Sequence, residues 1–431
     1  MKFLDRYFEL TARQTSIRKE LIAGLTTFMA MSYILFVNPS MLAQTGMDHG
    51  AVFVATCLAA AFGSIAMGML ANLPVALAPG MGLNAFFTYT VVGTMGYTWQ
   101  TALGAVFISG VLFMGLTLSR VREWLLNSIP VSLRHAMGAG VGLFLGLIGL
   151  KTAGIIVDSP ATLIKLGSLH EPAPLLAAVC FLLIAILSYH RVFGAILISI
   201  IAVTLAGWGL GLVHYNGILA TPPSLAPTWM AMDVKGVFNV SMISVVFAFL
   251  FVHMFDTAGT LMGVAQRAGL VNADGKIDNL SRALKADSAS SVLGAMVGVP
   301  PVTSYVESAA GVAAGGRTGL TAVTVGILFV AAMFFAPLAG MIPAYATAGA
   351  LIYVAMLMMA SMAHINWDEA TDSIPAIVTA IMMPLTFSVA DGIALGFITY
   401  VALKAGTGKY REISVSLWVL CAIFIAKFMF L

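Results

Sequence analysis

The sequence predicts an all-α polytopic membrane protein of fourteen transmembrane segments, built as a 7+7 inverted repeat. Three observations predict it. Of the 431 residues, 60% are hydrophobic and only 9% are charged, against roughly a quarter charged in an ordinary soluble domain. Apolar runs of the length a helix needs to cross the hydrocarbon core recur along almost the whole chain. The basic residues divide unevenly between alternate loops, as cytoplasmic and outer loops do.

The first seven runs fall at 20–37, 52–72, 79–96, 99–118, 132–150, 173–188 and 192–213. A polar, Pro-containing stretch from His214 to Lys235 follows, and the second seven lie at 237–262, 283–299, 301–315, 318–337, 344–363, 373–388 and 391–404. A last run, 413–430, reads either as a surface helix or as a fifteenth span. Met1–Lys19 is polar and the first run is long enough to span, so no cleavable signal peptide is expected. With the N-terminus cytoplasmic, Lys151, Lys165 and Lys235 fall outside, Lys427 lies in the last run, and the other seventeen of the 21 Lys and Arg fall inside.

Seven is odd, so two halves of seven spans point opposite ways across the bilayer, the condition for an inverted repeat. Spacing supports it: the first, third and fifth runs begin near 20, 79 and 132 in one half and near 237, 301 and 344 in the other.

Composition also excludes several functions. A net charge of +3 without a basic stripe is no nucleic-acid footprint. Cys57, Cys180 and Cys421 each sit in an apolar run without ligand spacing, which predicts buried free thiols and neither disulfide, zinc site nor other metal. Neither Gly315-Gly316-Arg317 nor Gly406–Lys409 has the spacing of a phosphate loop. No nucleotide-hydrolysing domain and no cofactor are expected.

Runs 3 and 10 are interrupted. In LPVALAPGMGLNAFF (Leu73–Phe87), Pro79, Gly80 and Gly82 forbid a regular helix, and a short helix is predicted to start near Leu83 with Asn84 in its first turn. In GVPPVTSYVESAAGVAAGG (Gly298–Gly316), Pro300 and Pro301 break the chain, Val302 and Thr303 can run extended, and Ser304 is the predicted N-cap of a short helix carrying Glu307 in its first turn. Transporters form substrate sites at such breaks, where half-helix N-termini turn toward the midplane.

Two acids stand out in the membrane-embedded part: Asp256, deep in the eighth run, and Glu307 in the broken tenth. An ionisable group at mid-bilayer costs about 2.5–3.5 kcal/mol on insertion scales and marks a functional site by default. Carboxylates suit a neutral ligand rich in N–H donors, and desolvation opens a route to proton uptake. His253, three residues before Asp256, either relays a proton or satisfies a backbone carbonyl. Thr257, Gly259, Thr260 and Gly263, with Gly311 and Gly315, offer small surfaces for close helix contact. Phe86 and Phe87 flank the first break and either stack on a flat ring or pack in the core.

These residues carry a family resemblance. ELIAGLTTFMAMSYILFVNP from Glu20, NLPVALAPGMGLNAFF from Asn72, FDTAGTLMGV from Phe255, SYVESAAGVAAGGRTGLTAV from Ser304 and ALIYVAMLM from Ala350 resemble the nucleobase-cation symporters called nucleobase-ascorbate transporters, in their AzgA-like purine permease branch. The resemblance covers nearly the whole chain. It implies a core domain (20–118 and 237–337), a gate domain (132–213 and 344–431), short strands in spans 3 and 10, and a homodimer. Proton symport of a purine base is implied too, with the acids at Asp256 and Glu307 and the third-span Asn84 contacting the base. Ser308 after Glu307 and Gly311 four on depart from the broader family's Glu/Gln-Asn-x-Gly signature, as the AzgA-like branch does. Xanthine, uracil and ascorbate are therefore disfavoured, and adenine or guanine/hypoxanthine remain.

The expectation is an elevator-type secondary transporter of the bacterial inner membrane, not an enzyme. Glu307 accepts a ring N–H, Asp256 either holds another ring edge or carries the coupling proton, and groups near Gly80, Phe87, Ser304 and Thr257 complete the site. The alternative is an anion exchanger or channel of the same architecture.

Overall fold

A computed structural model of the chain describes residues 2–118, 130–160, 162–272 and 277–430. Arg120, Arg122 and Lys276 of the charge count lie outside them. Each apolar run coincides with a helix or with a strand followed by a short helix. Among the described residues, nine helices are long and apolar enough to cross a membrane, and Ala195–Gly209, Ala370–Thr386 and Val415–Ala426 are shorter apolar helices.

Local chemistry starts and stops these helices. Ser16, Asp48, Asn239, Thr318 and Ser388 each cap a helix N-terminus by accepting a backbone N–H in its first turn. Gly298, at φ +106°, ends helix Leu280–Val297 in the left-handed region that only glycine enters freely. The first run is longer than its sequence pattern indicates. It forms helix Ile17–Met31 and then, past Ser32 and Tyr33, helix Ile34–Ala43 with Pro39 inside. Two stretches, Met67–Ala71 and Phe86–Thr94, adopt the wider π-helical winding, which gathers at functional sites.

Among the described residues, four short strands form two antiparallel pairs. Leu77–Pro79 (β1) pairs with Val302–Ser304 (β4) in the register Leu77–Ser304, Ala78–Thr303 and Pro79–Val302. Ile156–Ser159 (β2), mostly half-buried, pairs with exposed Leu163–Leu166 (β3), a pairing that hydrophobic periodicity gives no hint of. Backbone groups in an apolar interior must all be satisfied, and serines do this along the outer edges of the β1–β4 pair. Ser64 accepts from Leu77 N (3.0 Å) and donates to Leu77 O (3.1 Å). Ser291 does the same for Val302 N and O, both at 2.9 Å. Ser308 accepts from Ala76 N at 3.0 Å.

The helices pack in two groups. In one, His49–Ala66 lies against Ile34–Ala43, Leu280–Val297 and Gly319–Ala332, and Trp99–Leu118 against Val240–Arg267 and Leu280–Val297. In the other, Val131–Thr152 lies against Ala344–Met359 and Ala370–Thr386, which in turn packs on Val389–Gly406. The short helix Met81–Ala85 bridges them by packing on Val131–Thr152. Helix Val415–Phe430 joins the second group through stacked Phe397 and Phe424, 5.8 Å between ring centres. The three cysteines are buried free thiols.

Of the glycines expected to give close contacts, Gly311 does: a Cβ there would overlap Thr27 Oγ1 and stand 2.6 Å from Ala23 O. Gly259 and Gly263 face open space, and Gly315, at φ +107°, serves a turn. The expectation of close packing at these three is corrected.

Candidate functional site

The two chain breaks meet at the β1–β4 pair. Because the pair is antiparallel, the chain leaves it in opposite directions, toward helix Met81–Ala85 on one side and helix Ser308–Ala313 on the other. The crossing is sealed by Gly80 N to Pro301 O (2.9 Å), Tyr305 N to Ala76 O (2.9 Å), and the Tyr305 hydroxyl donating to Pro79 O (2.6 Å). Gly80 is required here: a Cβ would stand 2.9 Å from Thr303 Oγ1.

Glu307 occupies the position before helix Ser308–Ala313, with no cap bond from its side chain. The Tyr33 hydroxyl donates to Glu307 Oε1 at 2.7 Å. This contact spans the chain and exists because the first run breaks at Tyr33. Asp256 and Glu307 both keep partial accessibility although residues 251–255 and 301–305 are buried. The Thr303 hydroxyl faces the Asp256 carboxylate, and the two carboxylates are near enough for their charges to interact. The structure therefore brings Asp256, Glu307 and Gly80 to one centre.

Ser304 is not a helix cap. It lies in β4, and its hydroxyl turns toward Asp287 Oδ1 at 3.4 Å. The helix instead begins at Ser308, because the Tyr305 N–H is spent on Ala76 across the strands. Thr257 donates to both Asp287 oxygens, at 3.1 and 3.0 Å. His253 Nε2 meets Asp287 Oδ2 at 2.7 Å, so it satisfies a carboxylate and not a backbone carbonyl. Both partners are buried, and Phe113 packs edge-on to the imidazole, 4.7 Å between centres.

Asp287 is the functional candidate that sequence reasoning missed. It lies in ALKADSASSVLGAMV, just past Lys285, whose charge makes the segment read as a loop edge. The available signal was an acid followed by Ser288, Ser290 and Ser291 in an otherwise apolar helix, all of them buried.

Asn84 is fully buried in Met81–Ala85, and its Nδ2 donates to Asn38 Oδ1 at 2.7 Å. Phe86 and Phe87 are buried, and Phe86 meets Phe249 edge-on at 5.0 Å. Gly82 faces the second helix group, where a Cβ would overlap Val141 Cγ1. Among the described residues no group of three His, Cys, Asp or Glu could hold a metal ion.

The sequence model described as the Permease family matches residues 18–426. The chain belongs to this family. It is a multi-pass membrane permease and not an enzyme, in line with the resemblance its motifs carry. The adenine permease AdeP of Escherichia coli (strain K12) is 51% identical over 99% of this chain and 96% of its own length. The guanine/hypoxanthine permease PbuG of Bacillus subtilis (strain 168) is 46% identical over 99% of this chain and 100% of its own. Among solved structures, the transmembrane domain of the cyanobacterial bicarbonate transporter BicA superposes with a TM-score of 0.63 at 16% identity, over 88% of this chain and 96% of that one. The murine Solute Carrier 26 family member A9 anion transporter gives 0.67 at 11% identity, over 91% and 69%. These two share the permease fold.

Proposed function

We propose that this permease is a purine nucleobase:proton symporter of a bacterial plasma membrane, taking up adenine, guanine or hypoxanthine. The observation that carries the reading is the pair of partly accessible carboxylates, Asp256 and Glu307, beside crossed strands whose backbone is already satisfied. Tyr33 takes one oxygen of Glu307, and a carboxylate has further acceptor capacity for a ring N–H. Asp256 either holds a second edge of the base or carries the coupling proton. Buried His253, tied to Asp287, supports Asp256 from one turn away. Asn84, Gly80, Phe87, Ser304 and Thr257 line or brace the same centre. The resident cofactor set is empty; the coupling ion is H+.

The fourteen segments form a 7+7 inverted repeat, with the N-terminus cytoplasmic. The first helix group acts as the core domain (20–118 and 237–337) and the second as the gate domain (132–213 and 344–431), in a homodimer. The core carries base and proton past the gate in an elevator motion, and bare Gly82 against Val141 suits a sliding surface. Relatives covering almost the whole chain and named for purines favour this over anion exchange. Two carboxylates in the site would also repel an anion.

The test is uptake of labelled adenine, hypoxanthine and guanine into proteoliposomes, with and without an inward proton gradient. Wild type is expected to accumulate at least one base under the gradient, and Glu307→Gln and Asp256→Asn to lose accumulation. Normal uptake by both variants, or none by folded wild type, would overturn the proposal.

A further inference from the structure

We infer that two of the chain's crossings between the helix groups, 210–219 and Ile342–Pro343, form a single hinge at Asn216 and Met341, and that residues 220–239 ride with the first group. The inference deepens the elevator reading above and rests on it.

The chain passes between the groups three times. One passage, 119–129, lies outside the described residues; the second follows helix Ala195–Gly209, and the third is Ile342–Pro343, between helices Ala336–Met341 and Ala344–Met359. The second and third run side by side. Nearest the second group, both close on Gly207, where a Cβ would stand 3.4 Å from Val213 Cγ2 and would overlap the Tyr345 hydroxyl. Midway, Asn216 N meets Met341 Sδ at 3.5 Å. Nearest the first group, Ala220 N donates to Phe334 O at 3.0 Å.

Beyond Ala220 the segment is strapped down. Among the described residues, its hydrogen bonds to other elements all end on the first group: Met230 N to Met296 O (2.7 Å), Asp233 N to Gln100 O (2.9 Å), and the Tyr97 hydroxyl to Asn239 Oδ1 (3.1 Å). Bare Gly298 admits Thr228, and bare Gly104 admits the Asp233 carbonyl.

Length decides what the third crossing permits. Each residue adds at most about 3.6 Å to an extended chain, so Ala344 stays within about 11 Å of Met341 in any state. Groups that move further elsewhere must turn about this corner. The companion crossing can follow: 214–219 is neither helix nor strand and is exposed apart from half-buried Gly217. Gly217, at φ +98° with nothing within 4 Å of its Cβ position, can absorb the backbone change. At Gly82 and Val141, by contrast, the groups touch without a covalent link nearby.

The experiment measures gradient-driven uptake of labelled adenine, hypoxanthine and guanine in proteoliposomes by three double variants, before and after bridging. Ala220→Cys/Phe334→Cys and Gly82→Cys/Val141→Cys are oxidised to disulfides; a Cβ at Gly82 would stand 3.4 Å from Val141 Cβ, close to disulfide spacing. Asn216→Cys/Met341→Cys is bridged with a short bis-methanethiosulfonate. Bridges 220–334 and 216–341 are expected to keep at least half the uptake, and bridge 82–141 to lower it tenfold or more until reductant is added. Reversible loss of uptake with either of the first two overturns the inference. Uptake unchanged by bridge 82–141 overturns the elevator reading and the hinge with it. If a variant does not fold, spin-label pairs on exposed positions decide, the native cysteines being buried. Trp229–Leu182, across the groups, is expected to give a broader distance distribution than Trp229–Val111, within one group; an equal or reversed order overturns the inference. Wild type that takes up none of the three bases overturns the purine reading and leaves the hinge to the spin labels.

Discussion

His253 and Asp287 face each other at 2.7 Å with neither side chain open to solvent, joining helix Val240–Arg267 to helix Leu280–Val297 directly behind β4. Removing one member of a buried pair strands the other and costs roughly 3–5 kcal/mol. Asp287→Ala is expected to destabilise the protein by about that amount, read from thermal melting in detergent. The double variant His253→Gln/Asp287→Asn, which leaves no charge without its partner, is expected to melt closer to wild type. Equal melting of Asp287→Ala and wild type would contradict the role assigned to the pair.

Tyr33 holds Glu307 by one hydrogen bond. A hydrogen bond typically contributes about 0.5–1.5 kcal/mol. Tyr33→Phe is expected to weaken base binding by about tenfold while leaving membrane expression intact, measured as the concentration for half-maximal uptake. An unchanged value would detach Tyr33 from the site.

Gly82 leaves no room for a side chain against Val141. Gly82→Ala is expected to slow transport strongly, because the two helix groups meet there, and Val141→Ala added to it is expected to restore uptake. Failure of the second change to rescue would place the defect within the short helix instead.

Gly311 packs against Thr27 Oγ1 and Ala23 O. Overpacking a core costs typically 1–3 kcal/mol, and Gly311→Ala is expected to lower melting stability accordingly. Adding Thr27→Ala is expected to relieve only part of this, since the Ala23 carbonyl stays in place.

Outside the spans, Glu369 bonds Lys409 Nζ at 2.7 Å and Thr371 Oγ1 at 2.7 Å. The Lys409 bond first, then those from Thr371, hold its carboxyl down to about 2 from an ordinary 4.5. The folded form is thereby favoured fully above pH 4.5, and the contribution fades as pH falls toward 2. Glu369→Gln is expected to flatten the small pH dependence of melting across that window, and added salt to shrink it in wild type.

Much of this architecture was legible from residue order because the bilayer imposes simple rules. Apolar runs coincide with helices, and the breaks at Pro79–Gly80 and Pro300–Pro301 coincide with strands. The acids Asp256 and Glu307 stood out because charge is costly among apolar neighbours. What stayed hidden depends on contacts between distant parts of the chain. Tyr33 reads as an ordinary aromatic until the break in its run turns it to Glu307, 274 residues on. Ser64 and Ser291 are small polar residues whose purpose emerges only beside an unpaired strand edge. Asp287 was masked by the nearby Lys285, and the buried contact between Asn38 and Asn84 joins residues 46 positions apart.

The β1–β4 pair also constrains how the protein is made. Its partners are separated by more than two hundred residues, as the bond from Tyr305 to Pro79 is by 226. Until the ribosome has delivered Ser304, β1 has an open edge inside the membrane, protected on one side by Ser64 alone. Closing so long a loop is slow compared with forming any single helix. The candidate site is therefore a late product of biogenesis, and a chain truncated before its second half can insert helices but cannot assemble it.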